Sequence, residues 1–216
     1  MMSGDPIDLT LPVHDGMQLF PGLPTFESES SVSETTGALT SRFTASTHQG
    51  THVDAPAHYV DDGATLGELP LDLWHGEAVV VDLRQHRGEP ITAAVLDDHA
   101  AHVGADDRVV LLTGDVDEQF GDEAFFDRAA VLTPGAADWL VERRVSLVAN
   151  DFLTEALDDP NRPVHHTLLG AGVPIVEYLC HADAVADLGW VEFSCFPLNL
   201  PAFEASPVRA VASPLP

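Results

Sequence analysis

The chain has 216 residues, 45% of them hydrophobic, with 35 acidic residues, nine basic ones and a formal charge of −26 at pH 7. This is enough chain for one sizeable core and short for two, so residues 1–216 read as a single domain. All nine basic residues are Arg, which argues against a nucleic-acid groove, since phosphate contacts need clustered positive charge, and equally against an anionic membrane surface.

At the start, Met1, Met2, Ser3, Gly4, Asp5 and Pro6 form neither a basic region nor an apolar stretch. No signal peptide is expected, and a cytoplasmic protein is the default. Residues 8–12 and 39–44 read as strands with no helix between them, giving a β-rich N-terminal part. Short β-branched runs at 78–83, 108–113, 145–149, 174–179 and 208–212 predict further strands. Thr92 is a candidate cap for a helix beginning at Ala93. Thr133 and Pro134 open a clearer helix, with Arg143 and Arg144 at its C-terminal end where the macrodipole favours cations. Alternating strands and helices argue for an α/β protein, a mixed β-sheet core with flanking helices. No apolar run approaches the roughly 20 residues needed to span a bilayer.

The acids are scattered in pairs such as Asp61-Asp62, Asp97-Asp98, Asp106-Asp107 and Asp158-Asp159, which describes a folded protein with an acidic skin. At molar salt the Debye length falls to about 3 Å and the self-repulsion of such a surface is screened. A salt-rich, halophilic cytosol accounts for it; a merely acidic protein from an ordinary cytosol is the alternative. Two cysteines, Cys180 and Cys195, make no disulfide framework and read as core residues.

Chemistry concentrates in residues 48–58, where His48, His52, Asp54 and His58 follow the spacing His-x3-His-x-Asp-x3-His. Imidazole and carboxylate are the donors that suit zinc, manganese or iron. All four lie at even positions, so an extended chain projects them to one side. Fully extended, the run spans about 33 Å, too long to surround one ion. The chain must therefore bend, and Gly50 and Pro56 permit it. The alternative is a polar loop that happens to hold three histidines. A second segment begins at Pro163, carries His165 and His166 on a short helix, turns at Gly170 to Gly172 and continues into a strand. Glu177 stands inside that apolar strand, where an unpaired carboxylate is costly to bury. A metal resolves the cost; so does a solvent-facing side or an Arg partner.

The motif His48-Gln49-Gly50-Thr51-His52-Val53-Asp54-Ala55-Pro56-Ala57-His58 resembles the HxGTHxDxPxH signature of the cyclase family of metal-dependent hydrolases, which includes the bacterial kynurenine formamidases. The likeness extends to Leu19-Phe20-Pro21-Gly22, an aromatic-Pro-Gly element, to Val148-Ala149-Asn150-Asp151, and to His165 twelve residues before Glu177. Residues 197–200 and 206–212 resemble the closing strands of the family. The resemblance implies a swivelling β/α type of fold. It implies that His48, His52 and Asp54 ligate one metal, and that Asp54 bridges to a second held by His165 and Glu177, with Glu177 touching both. His58 becomes the proton donor and acceptor. Phe20 falls where formamidases carry a substrate-contacting Trp; it keeps the aromatic surface but loses the indole N–H, which leaves the substrate open. One or two ions per subunit are implied, zinc usually and manganese in some members, in a homodimer or homotetramer.

The implied activity is arylformamidase: a small-molecule formamide, N-formylkynurenine, is hydrolysed to kynurenine and formate in tryptophan catabolism. Alternatives on the same metal site are an isatin-like cyclic amide hydrolase and a polyketide-type cyclase or lyase. A metal-binding protein without activity is the third class. Trp74, His75 and Trp190 read as core or interface; His86, His99, His102 and His181 as surface; Asp151, at a strand end, as structural; and Arg209 as the partner of an acid.

Overall fold

A computed structural model describes residues 4–216, so half of the N-terminal stretch read for a signal peptide lies outside the described residues. The chain enters with β1 (Ile7–Asp8), then makes a hairpin of β2 (Glu27–Val32) and β3 (Leu39–Thr44) before reaching β4 (His52–Asp54). Every residue of the hairpin is exposed, because its pattern alternates no apolar face toward the core. The strand expected at 39–44 is therefore present but lies outside the main sheet, paired only with β2.

The centre of the molecule is built from β5 (His75–Asp82), β6 (Pro90–Ile91), α1 (Ala93–His99), β7 (Arg108–Leu112), α2 (Asp115–Gln119), α3 (Phe125–Arg128), β8 (Val131–Leu132), α4 (Pro134–Glu142) and β9 (Leu147–Asn150). After it come α5 (Pro163–Gly170), β10 (Ile175–Glu177), β11 (Trp190–Ser194), β12 (Ala205–Pro207) and β13 (Val211–Pro214). Nine strands form one sheet in the order β1-β13-β11-β5-β7-β9-β10-β4-β12, and β6 pairs with β8 apart from it. The four middle strands, β5, β7, β9 and β10, run parallel. Each parallel step needs a crossover, supplied by α1, α4 and α5. The outer pairings, including β4 with β10 and with β12, are antiparallel. The fold is thus α/β with a mixed sheet and flanking helices.

The two-residue period of the strands sorts the core into two layers. Val79, Val81, Val109 and Leu111 meet the helices, packing with Leu96, Leu140 and Leu168. Ala78, Val80, Val110 and Leu112 face the other way, under Leu9, Trp74, Leu179 and Phe193. Burying each such Val, Leu or Phe stabilises by about 1.5–3 kcal/mol. Local signals set the helix starts: the Thr92 hydroxyl accepts from Val95 N and that of Thr133 from Ala136 N, both at 3.3 Å. Helix α4 stops at Glu142; Arg143 is its cap and Arg144 has a φ of 58°, so the Arg pair sits at its C-terminal end as expected, at the point where the chain reverses.

At the C-terminus the single strand expected over 208–212 is broken. β12 ends at Pro207 and β13 begins at Val211, joined to opposite regions of the same sheet. Proline and Arg209, which leaves the sheet to pair with Asp8, account for the interruption. Residues 8–12 shorten to β1 plus a bridge from Thr10 to Leu179. Trp74, Cys180 and Cys195 are buried, whereas Trp190 is 39% exposed. No helix among the described residues is long and apolar enough to cross a membrane.

Candidate metal centre

Only residues 52–54 of the histidine-rich motif are extended, and the period of two puts His52 and Asp54 on one face of β4. Gly50 adopts φ 61°, a left-handed conformation that glycine enters without strain, and so turns His48 back toward the strand. Pro56 starts a 3-10 turn over Pro56–His58 that returns His58 to the same side. The two bends expected at Gly50 and Pro56 are both present.

Pairing then imports the second segment. β10 lies antiparallel to β4 with Glu177 directly opposite His52. Directly opposed residues share a face about 5 Å apart, and His52 Nε2 stands 3.3 Å from Glu177 Oε2. Helix α5, which precedes β10, brings His165 Nε2 to 3.5 Å from Glu177 Oε1 and 3.8 Å from Asp54 Oδ2. His48 Nδ1 is 2.9 Å from Asp54 Oδ1, and His58 Nε2 is 3.8 Å from Asp54 Oδ2. The five predicted ligands, His48, His52, Asp54, His165 and Glu177, and the predicted proton carrier His58 thus converge on one cup around Asp54. His166, one residue on, is exposed on the outside of the helix.

Whether these residues suit a cation is answered by Asp54. Its side chain is 1% exposed, and neither oxygen has a hydrogen bond of acceptable geometry despite the histidines around it. A buried carboxylate without partners is costly. His48, Asp54 and His58 bring ligand atoms within 4.8 Å of one another, as do His52, Asp54 and Glu177. The donor set of imidazoles and carboxylates fits a divalent ion. His58 lies within reach of the first group, so its geometry suits a ligand as well as a proton carrier.

The electrostatics are those of a closed charge cluster. Burial opposes ionisation of Asp54 and Glu177, but the surrounding imidazoles outweigh it and hold both below the usual carboxylate range. Burial likewise opposes a charged His165, yet hydrogen bonding to Glu155 and Glu177 lifts it to about 10. His58 goes the other way: burial, only partly offset by Asp54, pushes it down to about 4. Its ring is neutral at pH 7.

Several cup residues carry no sequence signal. Glu155 follows β9 in a loop, is buried, and accepts from Val164 N at 2.9 Å and from His165 Nδ1 at 2.5 Å. That bond orients Nε2 of His165 into the cup, as the outer carboxylate does in carboxylate–histidine–metal triads. On His52 the same task falls to Gly50 O, 2.8 Å from Nδ1. Glu204, on the loop before β12, reaches His48 Nε2 at 3.5 Å. Tyr59 packs beside His58 and His165, with ring centroids 4.3 and 4.9 Å away. Above the cup is a cavity of about 290 Å³ whose walls include Phe20, Tyr59, Leu153, Arg162 and Tyr178. Phe20, the predicted substrate contact, lies edge-on to Phe126, with centroids 5.8 Å apart.

A mixed sheet that buries imidazoles and carboxylates under a small-molecule cavity has the layout of a metal-dependent hydrolase. The chain belongs to the Cyclase family, whose model matches residues 7–155. It is 31% identical to the kynurenine formamidase of Bacillus cereus (strain ATCC 14579) over 218 aligned positions, covering all of both chains. Among solved structures it resembles a potential metal-dependent hydrolase with cyclase activity, with a TM-score of 0.81 and 28% identity, over 99% of this chain and 100% of that one. The fold is shared with isatin hydrolase A from Labrenzia aggregata, at a TM-score of 0.83 and 21% identity, covering 96% of this chain and 93% of that one.

Proposed function

We propose that residues 1–216 form one metal-dependent hydrolase domain that cleaves the C–N bond of aryl formamides, N-formylkynurenine first among them. The observation that carries this reading is the pairing of Glu177 with His52 beside a buried Asp54 whose oxygens face histidines but accept no hydrogen bond of acceptable geometry. It is supported by full-length similarity to a kynurenine formamidase. In this reading His48, His52 and Asp54 hold one ion, and Asp54, His165 and Glu177 a second where two are bound. Zinc suits the donors best, and manganese is the alternative. A divalent cation in such a set acidifies a water and polarises a carbonyl.

The remaining work belongs to the chain. His58, neutral at pH 7, takes a proton from the attacking water and returns it to the nitrogen that departs. One water is consumed: its oxygen joins the formyl carbon, the C–N bond breaks, and formate and the aryl amine leave. The arylamine nitrogen is weakly basic, which eases its departure. Phe20 offers an apolar face to the aryl ring. Glu155 keeps His165 oriented.

The partner is a small molecule, with no role for nucleic acid or membrane. A homodimer or homotetramer in a salt-rich cytoplasm accords with the family and with the acidic surface. The test is purification in high salt, elemental analysis, and assays of formate release from N-formylkynurenine and of ring opening of isatin on the same sample. Metal together with formate release supports the reading. Isatin opening without formate release replaces it with the cyclic amide hydrolase, and metal without either turnover overturns it.

A further inference from the structure

Arginines are scarce in this molecule, and among the described residues all but Arg162 lie away from the cavity above the cup. Arg42, Arg84, Arg87, Arg143 and Arg209 are paired with surface carboxylates. Arg108 donates to backbone carbonyls of Leu73, Asp72 and Glu77. Arg162 is the Arg that lines the cavity. Among the described residues its Nη1 donates to Ala156 O at 3.2 Å, and no carboxylate lies within 4.0 Å of it. The guanidinium has five N–H donors, so most of its capacity is unused by the protein.

Its placement is held by the backbone. Arg162 caps α5 with φ 47° and ψ 52°, a left-handed conformation uncommon for a long side chain. It stands three residues before His165, hence about one helical turn from the cup. Its guanidinium carbon is 5.7 Å from the centroid of Phe20, so the aromatic wall and the cation face the same space. The charge reaches inward too: it lowers the pKa of Tyr59 and Tyr178, although burial dominates and raises both.

We propose that Arg162 is the counter-ion for a carboxylate on the substrate, making the site selective for aryl amides that carry a carboxylate over those that lack one. A fork of N–H groups matches the two oxygens of a carboxylate. In a chain of charge −26 a carboxylate group is disfavoured at the surface at low salt, so a guanidinium in the cavity wall is the feature that makes it receptive to that group. The proposal deepens the amide-hydrolase reading and rests on it for turnover, but not for binding.

The experiment compares N-formylkynurenine with its carboxamide, which differs only in the carboxylate. Wild type is expected to favour the acid by about tenfold or more in kcat/KM, mainly through KM. Arg162→Gln removes that preference while changing turnover of the carboxamide less than about twofold, and Arg162→Lys restores part of it. Equal losses on both substrates, or no preference in wild type, overturns the proposal. A second arm titrates the protein as purified with kynurenine and kynurenine amide by calorimetry. Tighter binding of the acid that disappears in Arg162→Gln supports the role of Arg162 even if neither formamide is hydrolysed, an outcome that sinks the formamidase reading alone. Equal affinities in that arm overturn it. Metal content and thermal melting of each variant show that α5 is intact.

Discussion

Two aspartates, both buried, sit at the ends of β4 and β9 and have opposite surroundings. Asp151 follows β9 and is fully satisfied: its oxygens accept from Thr113 N at 2.7 Å, Gly114 N at 2.6 Å and the Thr113 hydroxyl at 3.1 Å. Asp54, on β4, is equally buried and has no hydrogen bond at all, only histidines at ion-pair distance. The first carboxylate ties β7 to β9 and closes a turn. The second is a charge whose environment is incomplete without a cation. Burial alone therefore does not mark a functional carboxylate; what distinguishes the two is whether the protein itself supplies the donors.

The largest effect that sharpens this contrast is expected for Asp54→Asn. Elemental analysis should find the metal lost, with formate release at the level of buffer, while circular dichroism shows the fold retained. A variant that keeps full metal would erase the distinction. His58→Ala comes next: it should keep metal yet lower turnover by about 10²–10⁴, the range of general acid–base catalysis. Near-normal turnover removes His58 from the mechanism. Glu155→Gln, which weakens the hold on His165, should reduce metal affinity by about 10–100-fold in a chelator competition.

Asp151→Asn should do the reverse, costing stability without chemistry. An Asn leaves at least one buried donor unmatched, about 1–3 kcal/mol, or roughly 2–4 °C of Tm per kcal/mol in a chain of this size. Loss of metal in this variant would break the contrast. pH refines it: burial raises Asp151 to about 7 against the backbone donors that pull it down. The native state then holds this proton where the unfolded chain has lost it, so this residue's contribution is complete below about pH 4 and declines as pH rises toward 7. Wild type minus Asp151→Asn, followed by chemical denaturation, isolates that slope. The smallest effect belongs to an exposed carboxylate, Asp8, held by Arg209 at 2.8 and 2.6 Å. Asp8→Asn should leave Tm unchanged in 1 M salt, where such pairs are screened.

Much of the cup is legible in residue types. The donors of residues 48–58, the bends at Gly50 and Pro56, and the helix-turn-strand carrying His165 and Glu177 are local patterns, each readable within about fifteen residues. What is not legible lies across gaps. Glu155 gives no motif, since its role depends on α5 folding back over the loop after β9. Arg162 looks like any charged residue before a proline until the cavity is assembled around it. The break between β12 and β13 is hidden because 208–212 is apolar enough for one strand, and only sheet order shows that two separate partners claim its flanks.

By itself, then, the amino-acid order determined the chemistry available: hard and borderline donors, chain reversals, helix starts at Thr92 and Thr133, and strands whose alternating faces imply two buried layers. Only the tertiary structure decided which of these meet, setting Glu177 opposite His52, Glu155 behind His165 and Arg162 over the cavity. The reason is physical. Capping and turn preferences act between neighbours along the chain, whereas strand order and register follow from the summed packing of both sheet faces, to which every element contributes and which no single segment encodes.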